Sequence, residues 1–420
     1  MTGKSEPKGA LDGLIVLDLS RILAGPTCTQ LLGDLGATVI KIENPATGGD
    51  DTRAWGPPYA ETRDGNSDLS GYFMAANRNK YSVAVDISSA EGQATIHQIA
   101  AVADIVVENF KPGGLAKYGL DYAALSAGRP DLVYCSISGF GQTGPNRTLP
   151  GYDLMAQGYG GIMSLTGEAD GVPSKVGVGI ADVMCGMYAC IGILAALRHR
   201  DTTGEGQHID LSLIDSQMAW LINEGTNTLI TGQAPIRRGN AHPNICPYDV
   251  FACADGHIIL AVGNDGQFQR FCAELGAPDL AYDPRFSTNP LRLQNREAVS
   301  AEVTRLLKDQ PKSAILHRLA HANVPAGPIH DVTEALASDQ AEARGSVVRM
   351  HHQDAVKNAV ELLGNPLKFS ATPVRYERPP PRMGADTDTL ADTLETALER
   401  QQDQRKLAHA RSQIRSRGRT

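Results

Sequence analysis

An apolar run, Leu14-Ile-Val-Leu-Asp-Leu-Ser20, follows Gly13 and is typical of a short strand that is buried on both faces. Gly25-Pro26 then opens a helical pattern, and Gly36 ends it. A second apolar run follows directly, Thr38-Val-Ile-Lys-Ile-Glu43. The order of strand, helix and strand predicts a βαβ unit with two parallel strands.

The same alternation continues along the first half of the chain. Helical patterns separate further apolar runs, which occupy residues 82–86, 105–108, 132–137 and 207–213. The longest helix is expected at about 182–198, followed by a turn over 199–206. Its apolar residues recur at helical spacing (Met184, Met187, Ile191, Leu194 and Leu197). We therefore expect an α/β fold in which residues 1–225 build a Rossmann-like, doubly wound large domain.

The residue composition of the chain changes near residue 231, where Gly, Pro and Asn become frequent. A β-hairpin is expected over 248–262, turning at Asp255-Gly256. Helical patterns follow at about 266–275, 296–308 and 312–323. These elements predict a smaller α+β domain formed by residues 226–325.

Residues 326–420 are expected to return to the large domain. Pro379-Pro-Pro381 is typical of a rigid connector, and a helix-prone tail follows it. The tail ends in four arginines, and a short basic end of this kind is typical of a solvated terminus. They are Arg411, Arg415, Arg417 and Arg419.

Composition narrows the class of protein. Hydrophobic residues make up 42% of the 420 residues and charged residues 20%, which are ordinary globular values. The net charge of −8 argues against a nucleic-acid partner. The polar first ten residues, and the absence of any run of ~18 uncharged apolar residues, predict a cytoplasmic protein without a membrane partner. Seven scattered cysteines predict free thiols, and the histidine spacing predicts no metal site.

One motif invites a dinucleotide-binding interpretation. Gly139-Phe-Gly-Gln-Thr-Gly144 matches GxGxxG after a predicted strand. In a dinucleotide site the third glycine opens a helix, whose N-terminus holds the pyrophosphate. Here the turn sequence of residues 145–151 follows instead. We interpret the glycines as positions where the backbone closely approaches a ligand or another strand.

Asp182 stands where a glycine-rich stretch (171–179) gives way to the long helix. One interpretation is an N-cap, because aspartate readily accepts hydrogen bonds from unpaired amides at a helix start. The other is a nucleophile that the helix N-terminus keeps ionised, with neighbouring amides available to stabilise an oxyanion. Spacing alone does not choose between them.

Nine ordered segments, spread over nearly the whole chain, carry a family resemblance. They are residues 17–30, 35–43, 77–80, 107–113, 135–145, 151–153, 203–207, 324–328 and 380–384. Together they resemble the class III CoA-transferases, the family of formyl-CoA and carnitine CoA-transferases, to which α-methylacyl-CoA racemase is related. The resemblance implies an interlocked homodimer of ring-like chains. It also implies coenzyme A or acyl-CoA as substrate, with no tightly bound cofactor.

The resemblance also assigns residues. It implies that Asp182 is the catalytic nucleophile, which passes through a mixed anhydride and an aspartyl-CoA thioester. The positions matching the family's CoA contacts are Arg21, Ile22, Ala24, Asn109, Phe110 and Lys117. Two positions depart from the formyl-CoA transferases, which have basic residues where this chain has Asn44 and Ser138.

The racemase branch and the transferase branch differ at a few positions. Tyr152 stands where the racemases have a catalytic histidine, and Asp265 is only close to the position of their glutamate. The tetraglycine loop of the formyl-CoA transferases is absent from the sequence. Three segments of this chain instead resemble transferases that use succinyl-CoA with dicarboxylates such as glutarate: residues 238–242, 247–248 and 263–268.

We therefore expect Tyr152, Arg238 and His242 to bind the substrate. Arg238, or its neighbour Arg237, would pair with the distal carboxylate of the acceptor. The alternative for the arginines is a position on a surface loop. At the level of function, the alternatives are an acyl-CoA racemase or isomerase of the same superfamily and a CoA-binding protein without turnover.

Overall fold

The computed structural model describes residues 9–417, and it describes side chains up to residue 404. The described residues divide into two compact units. The first comprises residues up to Ile162, Val176–Thr226 and residues from Gln340 onward, and the second comprises Met163–Lys175 and Asn227–Asp339. The second unit contains the predicted small domain, 226–325, apart from residue 226 itself. It also takes in residues 163–175 and 326–339.

Six strands form one sheet in the first unit. They are β1 (Ile15–Asp18), β2 (Thr38–Glu43), β3 (Lys80–Ala84), β4 (Ile105–Glu108), β5 (Val133–Ser138) and β6 (Gln207–Ser212). Their order across the sheet is β3-β2-β1-β4-β5-β6, and each neighbouring pair is parallel. The predicted α/β fold with a parallel sheet is confirmed. The strand order is that of the Rossmann folds.

Helices cover both faces of this sheet. They include α1 (Ala24–Asp34), α3 (Ala90–Ala100), α4 (Tyr122–Ser126), α5 (Asp153–Tyr159), α6 (Ile180–Thr203) and α7 (Leu213–Ala219). A further short helix, α2 (Gly71–Ala75), precedes β3 in the chain. Side chains alternate along β1, so Val16 joins a core that contains residues of α1 and α6. Ile15 and Leu17 join a second core with residues of α3. Both faces of the sheet are therefore apolar and covered.

Helix α6 is longer than the sequence predicts. It begins at Ile180 and ends at Thr203, where Gly204 adopts φ +81°. The predicted turn over 199–206 is wrong up to residue 203, because polar residues prolong the helix until a left-handed glycine ends it. Its 18-residue apolar window has a mean hydropathy of 2.0, enough by length and composition to cross a membrane. However, 56% of that window is buried inside the fold, and α6 packs between α1, α7 and the sheet.

Helix α8 (Ile222–Thr231) leads from the first unit into the second. The second unit contains an antiparallel sheet in the order β7 (Tyr248–Cys253), β8 (Gly256–Ala261) and β9 (Ala326–Pro328). The predicted hairpin is present, but it turns one residue earlier than expected. Gly256 already pairs with Cys253, which leaves Ala254-Asp255 as the turn.

Helices pack against the small sheet. They are α9 (Asp265–Glu274), α10 (Asn289–Gln294), α11 (Arg296–Leu307) and α12 (Lys312–His321). Helix α13 (Val332–Leu336) follows β9 and has no buried residue. The three helices predicted here correspond to α9, α11 and α12, each within two residues at either end. Their buried faces meet the sheet in a core that includes Phe251, Phe271 and Val303.

The chain returns to the first unit after α14 (Asp339–Arg344). There β10 (Val347–His351) and β11 (Ala359–Leu363) form an antiparallel pair. The helix-prone tail forms α15 (Leu390–Arg417), which packs Leu394, Ala397 and Leu398 against the core of α3. The basic end with Arg411, Arg415, Arg417 and Arg419 lies outside the residues whose side chains are described.

Candidate functional site

A cleft of about 640 Å³ lies at the carboxyl ends of the parallel strands. Its walls come from the segments that follow all six strands, together with the start of α6. In open α/β sheets, ligands bind outside the strand ends at the point where the strand order reverses. That point here lies between β1 and β4. We call this space the strand-end cleft.

The strand-end cleft brings together most of the predicted site. All six predicted CoA-binding residues line it, and so do Tyr152 and Asp182. The six are Arg21, Ile22, Ala24, Asn109, Phe110 and Lys117. They come from segments as far apart as the ends of β1 and β4, so the fold has placed them in one wall. Their role in binding stays a prediction.

Asp182 is the third residue of α6, and its side chain is 7% exposed. The N-cap position belongs to Gly179, which has no side chain to offer a cap. The interpretation of Asp182 as an N-cap is therefore wrong. The amides at the helix start are satisfied from outside the helix, because Asp153 Oδ1 accepts hydrogen bonds from the Ala181 amide (2.8 Å) and the Asp182 amide (3.3 Å). These two amides already have a partner and are not available to an oxyanion.

The carboxyl group of Asp182 is unusual for its basicity. Burial, with a further contribution from the negative charge of Asp153, raises its pKa from 3.8 to about 7. Among the residues whose side chains are described, 9–404, the structure shows no hydrogen-bond donor for this carboxylate. Burial opposes the expected effect of the helix N-terminus, and the expectation that the helix keeps Asp182 ionised stays a prediction. The group is a buried carboxyl that gains or loses a proton near neutral pH.

The loop between β1 and α1 enters the strand-end cleft in a strained conformation. Ile22 has φ +73°, a region that β-branched residues rarely adopt. Asn109, which follows β4, forms two hydrogen bonds with the backbone of Arg21, the residue before Ile22. Its Oδ1 accepts the Arg21 amide at 2.9 Å, and its Nδ2 donates to the Arg21 carbonyl at 2.6 Å. Asn109 therefore fixes this loop and also lines the cleft.

A buried ion pair supports the same loop from below. Lys41 and Asp50 have fully buried side chains, and their Nζ and Oδ2 atoms lie 2.8 Å apart. Lys41 Nζ donates to the Ser20 carbonyl (2.9 Å), while Asp50 Oδ1 accepts the Ile22 amide (3.2 Å). Sequence reasoning did not single out either residue. The only available signal was the lysine inside the apolar run of β2, because a charged residue is unusual in a buried strand.

The basic residues of the cleft have weak partners. Arg21 Nη1 lies 2.8 Å from Asp51 Oδ2, and both side chains are nearly half exposed, so water screens this pair. Lys117 Nζ lies 4.5 Å from the ring centre of Tyr118. Lys111 also lines the cleft and was missed at the level of sequence. A phosphate could exchange for Asp51 on Arg21 at small cost.

The two positions that depart from the formyl-CoA transferases have local roles. Asn44 lines the cleft, and its Oδ1 accepts the Ala46 amide in a short turn. Ser138 Oγ accepts the Gly141 amide at 2.9 Å. Neither residue supplies a charge, so phosphate binding would rely on the lysines and Arg21.

Gly139, the first glycine of the GxGxxG match, packs backbone to backbone against Gly151. A Cβ atom added at Gly139 would lie 2.5 Å from the Gly151 Cα, so neither position tolerates a side chain. The next helix, α5, begins only at Asp153, and residues 144–152 form turns and extended segments. The glycine does approach another part of the backbone closely, although that part is an irregular segment and not the strand or ligand that we predicted. The helix that a dinucleotide motif needs does not follow.

The remaining predicted residues belong to the second unit. Arg237 donates to the Glu168 and Gly171 carbonyls at 3.1 and 2.6 Å, which ties residues 163–175 to this unit. Arg238 Nη1 donates to the Ile236 carbonyl at 3.1 Å. His242 packs on Tyr248, with ring centres 5.1 Å apart. Arg237 thus makes structural contacts within this unit, while the substrate roles of Arg237, Arg238 and His242 stay predictions.

Asp265, the residue nearest to the racemase glutamate, is held by an ion pair. Arg292 is fully buried, and its Nη2 lies 2.8 Å from Asp265 Oδ1. The same guanidinium donates to the Cys246 and Phe286 carbonyls. The geometry is that of a fixed structural contact in the second unit.

Comparisons with known proteins agree with this arrangement. The family model of CoA-transferase family III matches residues 11–387. The succinate–glutarate CoA-transferase of Agrobacterium fabrum is 47% identical over 396 residues, which are 94% of this chain and 98% of the relative. The human succinyl-CoA:glutarate CoA-transferase is 39% identical over 377 residues, which are 90% of this chain and 84% of the relative.

A solved structure matches over the same extent. The crystal structure of a CAIB/BAIF family protein from Brucella suis has a TM-score of 0.82 and 45% identity, covering 92% of this chain and all of the other. The family match thus spans the sheet, the strand-end cleft and the second unit. The chain belongs to CoA-transferase family III, and it is a CoA-transferase.

Proposed function

We propose that this CoA-transferase moves CoA from succinyl-CoA to a free dicarboxylic acid through a covalent intermediate on Asp182. One observation carries the proposal. A buried carboxyl without a hydrogen-bond donor lies in the wall of the same cleft as the six residues that match the family's CoA contacts. A carboxylate without donors has its oxygen lone pairs free for attack on a thioester.

Transfer would take four steps. The Asp182 carboxylate attacks the thioester carbonyl of the donor, forming a mixed anhydride and releasing CoA thiolate. The thiolate attacks the aspartyl carbonyl of the anhydride, which gives aspartyl-CoA and free succinate. The acceptor carboxylate attacks aspartyl-CoA, forming a second anhydride and again CoA thiolate. The thiolate attacks the acceptor's acyl carbonyl, which gives the new acyl-CoA and regenerates Asp182.

The cleft suits these steps because CoA thiolate must stay bound twice. Arg21, Lys111 and Lys117 line the wall and would bind phosphate groups of CoA. Ile22 and Phe110 offer apolar surface to the adenine. With the nucleotide held in this way, the thiolate would remain beside the anhydride while the acids exchange.

The choice of acceptor rests on the relatives and on the second unit. The two curated relatives described above are named for transfer between succinate or succinyl-CoA and glutarate, both dicarboxylic acids. A dicarboxylate presents a second carboxylate that needs a cation, and Arg238 is our candidate for it. Tyr152, which lines the strand-end cleft, and His242, which lies in the second unit like Arg238, are the other two residues that we propose to bind substrate.

The acceptor proposal predicts a selective effect of Arg238→Gln. With succinyl-CoA as donor, we expect the KM for dicarboxylic acids to rise by roughly 10- to 100-fold, while the KM for monocarboxylic acids stays unchanged. The measurement is initial-rate detection of acyl-CoA products by mass spectrometry over a panel of both classes. Arg285→Gln is the control, because Arg285 is an exposed arginine of the same unit, paired with Asp283. An equal loss for both acid classes would contradict the role of Arg238.

We also propose that the chain forms an interlocked homodimer. Large apolar side chains of α5 and α6 are exposed in the single chain, among them Leu154, Met155, Met187, Ile191 and Leu194. Three of these, Met187, Ile191 and Leu194, belong to the apolar spacing that predicted the long helix. Exposed apolar surface of this extent is typical of an interface.

The dimer has two measurable consequences. Light scattering should give a molar mass twice the 44.7 kDa of the chain. Two differently tagged preparations should not exchange subunits when mixed, because interlocked rings separate only on unfolding. A simple dimer would exchange, and a monomer at all concentrations would contradict the proposal altogether. We expect Ile191→Glu to lower the fraction of dimer. Its control is Arg305→Glu, on the polar surface of α11.

A further inference from the structure

We infer that Asp153 is a positioning residue of the transfer reaction: it anchors the start of α6 and places a second negative charge beside Asp182. The inference rests on the proposed role of Asp182 as nucleophile. Asp153 adjoins Tyr152 in sequence and was assigned no role in the transfer at the level of sequence.

The hydrogen bonds of Asp153 point in two directions. Its Oδ1 accepts the amides of Ala181 and Asp182, and its Oδ2 accepts Gln157 Nε2 at 2.6 Å. Gln157 is fully buried, and its Oε1 accepts the Val176 amide at 2.8 Å. Asp153 and Gln157 therefore join one turn of α5 to the segment that leads into α6.

This arrangement replaces an ordinary helix cap. A helix start usually receives a side-chain oxygen from its own N-cap residue. Here Gly179 occupies that position without a side chain, and the acceptor comes from a different helix. The position of the Asp182 carboxyl thus depends on α5, and a small movement of Asp153 would move it.

The charge of Asp153 acts on the same group. Two carboxylates beside each other repel, so Asp153 contributes to the raised pKa of Asp182, although burial contributes more. Tyr72 of α2 is electrostatically coupled to both carboxylates, and Cys185 on α6 to Asp182. The same cleft is lined by further charged residues, namely Arg21, Lys111, Lys117, Asp51 and Asp86. A more basic carboxylate is a stronger nucleophile, which gives the second charge a chemical use.

A purely structural anchor and a charge effect predict different results for Asp153→Asn. The asparagine keeps an oxygen for the two amides but carries no charge, and its Nδ2 cannot accept the hydrogen bond from Gln157 Nε2. If only the anchor matters, the pH profile of kcat/KM keeps its acid limb near pH 7. If the charge matters, the acid limb moves to lower pH by roughly one unit. The variant would then be more active than the wild type relative to each enzyme's own plateau at pH 6.

A second measurement follows the protonation of Asp182 without catalytic turnover. A water-soluble carbodiimide labels protonated carboxyl groups, and peptide mapping by mass spectrometry locates the label. We expect half-maximal labelling of Asp182 near pH 7 in the wild type, and at lower pH in Asp153→Asn. Asp215→Asn is the control, because it removes an exposed carboxylate on α7 that has no hydrogen bond to the start of α6.

The outcomes separate the two proposals. An unchanged labelling midpoint in Asp153→Asn, with an unchanged acid limb, overturns the inference whatever Asp182 does. Full transfer activity in Asp182→Asn overturns the proposed function, and the labelling midpoint can still be measured in Asp153→Asn. Asp153→Ala removes the anchor as well as the charge. We expect it to lose activity at every pH and to unfold at a lower temperature than Asp153→Asn.

Discussion

Replacing Asp182 with asparagine is expected to abolish CoA transfer, with a loss of at least roughly 10⁴-fold in kcat. The variant has no carboxylate at position 182 to form the first anhydride, and the neighbouring carboxylate of Asp153 is held by the amides of Ala181 and residue 182 and by Gln157. Binding of CoA should persist, because the residues predicted to contact it are unchanged. Initial rates with succinyl-CoA and a dicarboxylic acid, together with calorimetric titration of CoA, measure the two effects separately.

The same substitution is expected to raise the unfolding temperature. A buried carboxylate without a hydrogen-bond donor destabilises the folded state. Because the folded pKa is raised from 3.8 to about 7, stability is lost as the pH rises through 7. Asparagine has no such loss. The difference in unfolding temperature between the variant and the wild type should therefore grow as the pH rises from roughly 5 to roughly 8. A variant that is inactive because it is misfolded would instead unfold at a lower temperature.

Lys41→Met is expected to have the largest effect on stability, lowering the free energy of unfolding by about 3–5 kcal/mol. It leaves the Asp50 carboxylate buried without its cation. Desolvation by itself would raise the pKa of Asp50, but the charge of Lys41 and the surrounding hydrogen bonds lower it to about 2. The contribution of the pair is therefore present above the unfolded pKa of 3.8 and is lost as the pH falls toward 2. Denaturant unfolding at neutral pH measures the loss.

The pair also supports the loop of Ile22, so Lys41→Met should weaken CoA binding. We expect the Kd to rise by at least roughly tenfold, since a strained loop must be held in place before the ligand arrives. The double variant Lys41→Met with Asp50→Asn removes both charges and should recover part of the stability. No recovery in the double variant would show that the two residues do not act as a pair. An unchanged Kd would show that the loop does not depend on them.

The fold was largely predictable because its strands are buried on both faces. Continuous apolar runs such as residues 105–108 indicated the strands directly, and β4 has the bounds of that run. β3 begins two residues earlier than predicted, since Lys80 is a fully buried strand residue. Its charge is compensated by Asp18, whose Oδ2 lies 3.2 Å from Lys80 Nζ. A charge that is satisfied by a distant residue cannot be recognised from a local pattern.

The site was predictable in part, and for a different reason. The position of Asp182 left two interpretations open, and only the family resemblance favoured the nucleophile. The raised pKa of its carboxyl and the contribution of Asp153 depend on α5 and α6 meeting, which no spacing along the chain reports. The same holds for Lys41 and Asp50. Their link to Ile22 is made across the ends of two strands.

The alternatives to transfer make different predictions for the α-carbon of the acyl group. A racemase or isomerase would exchange the α-proton of an acyl-CoA with solvent and would need no acceptor acid. The chain has Tyr152 where that chemistry uses histidine, and Asp265 is paired with Arg292. A binding protein would show neither exchange nor transfer. Both differ from the proposed enzyme in forming no covalent bond to CoA.

The most direct test is to mix the enzyme with succinyl-CoA in the absence of acceptor, reduce with borohydride or quench in acid, and map the peptides by mass spectrometry. We predict covalently bound CoA on the peptide that contains Asp182 after the acid quench, and its alcohol reduction product after borohydride. Addition of a dicarboxylic acid before the quench should remove the adduct and yield the corresponding acyl-CoA. Transfer without any adduct, or with an adduct on another residue, would contradict the proposed role of Asp182.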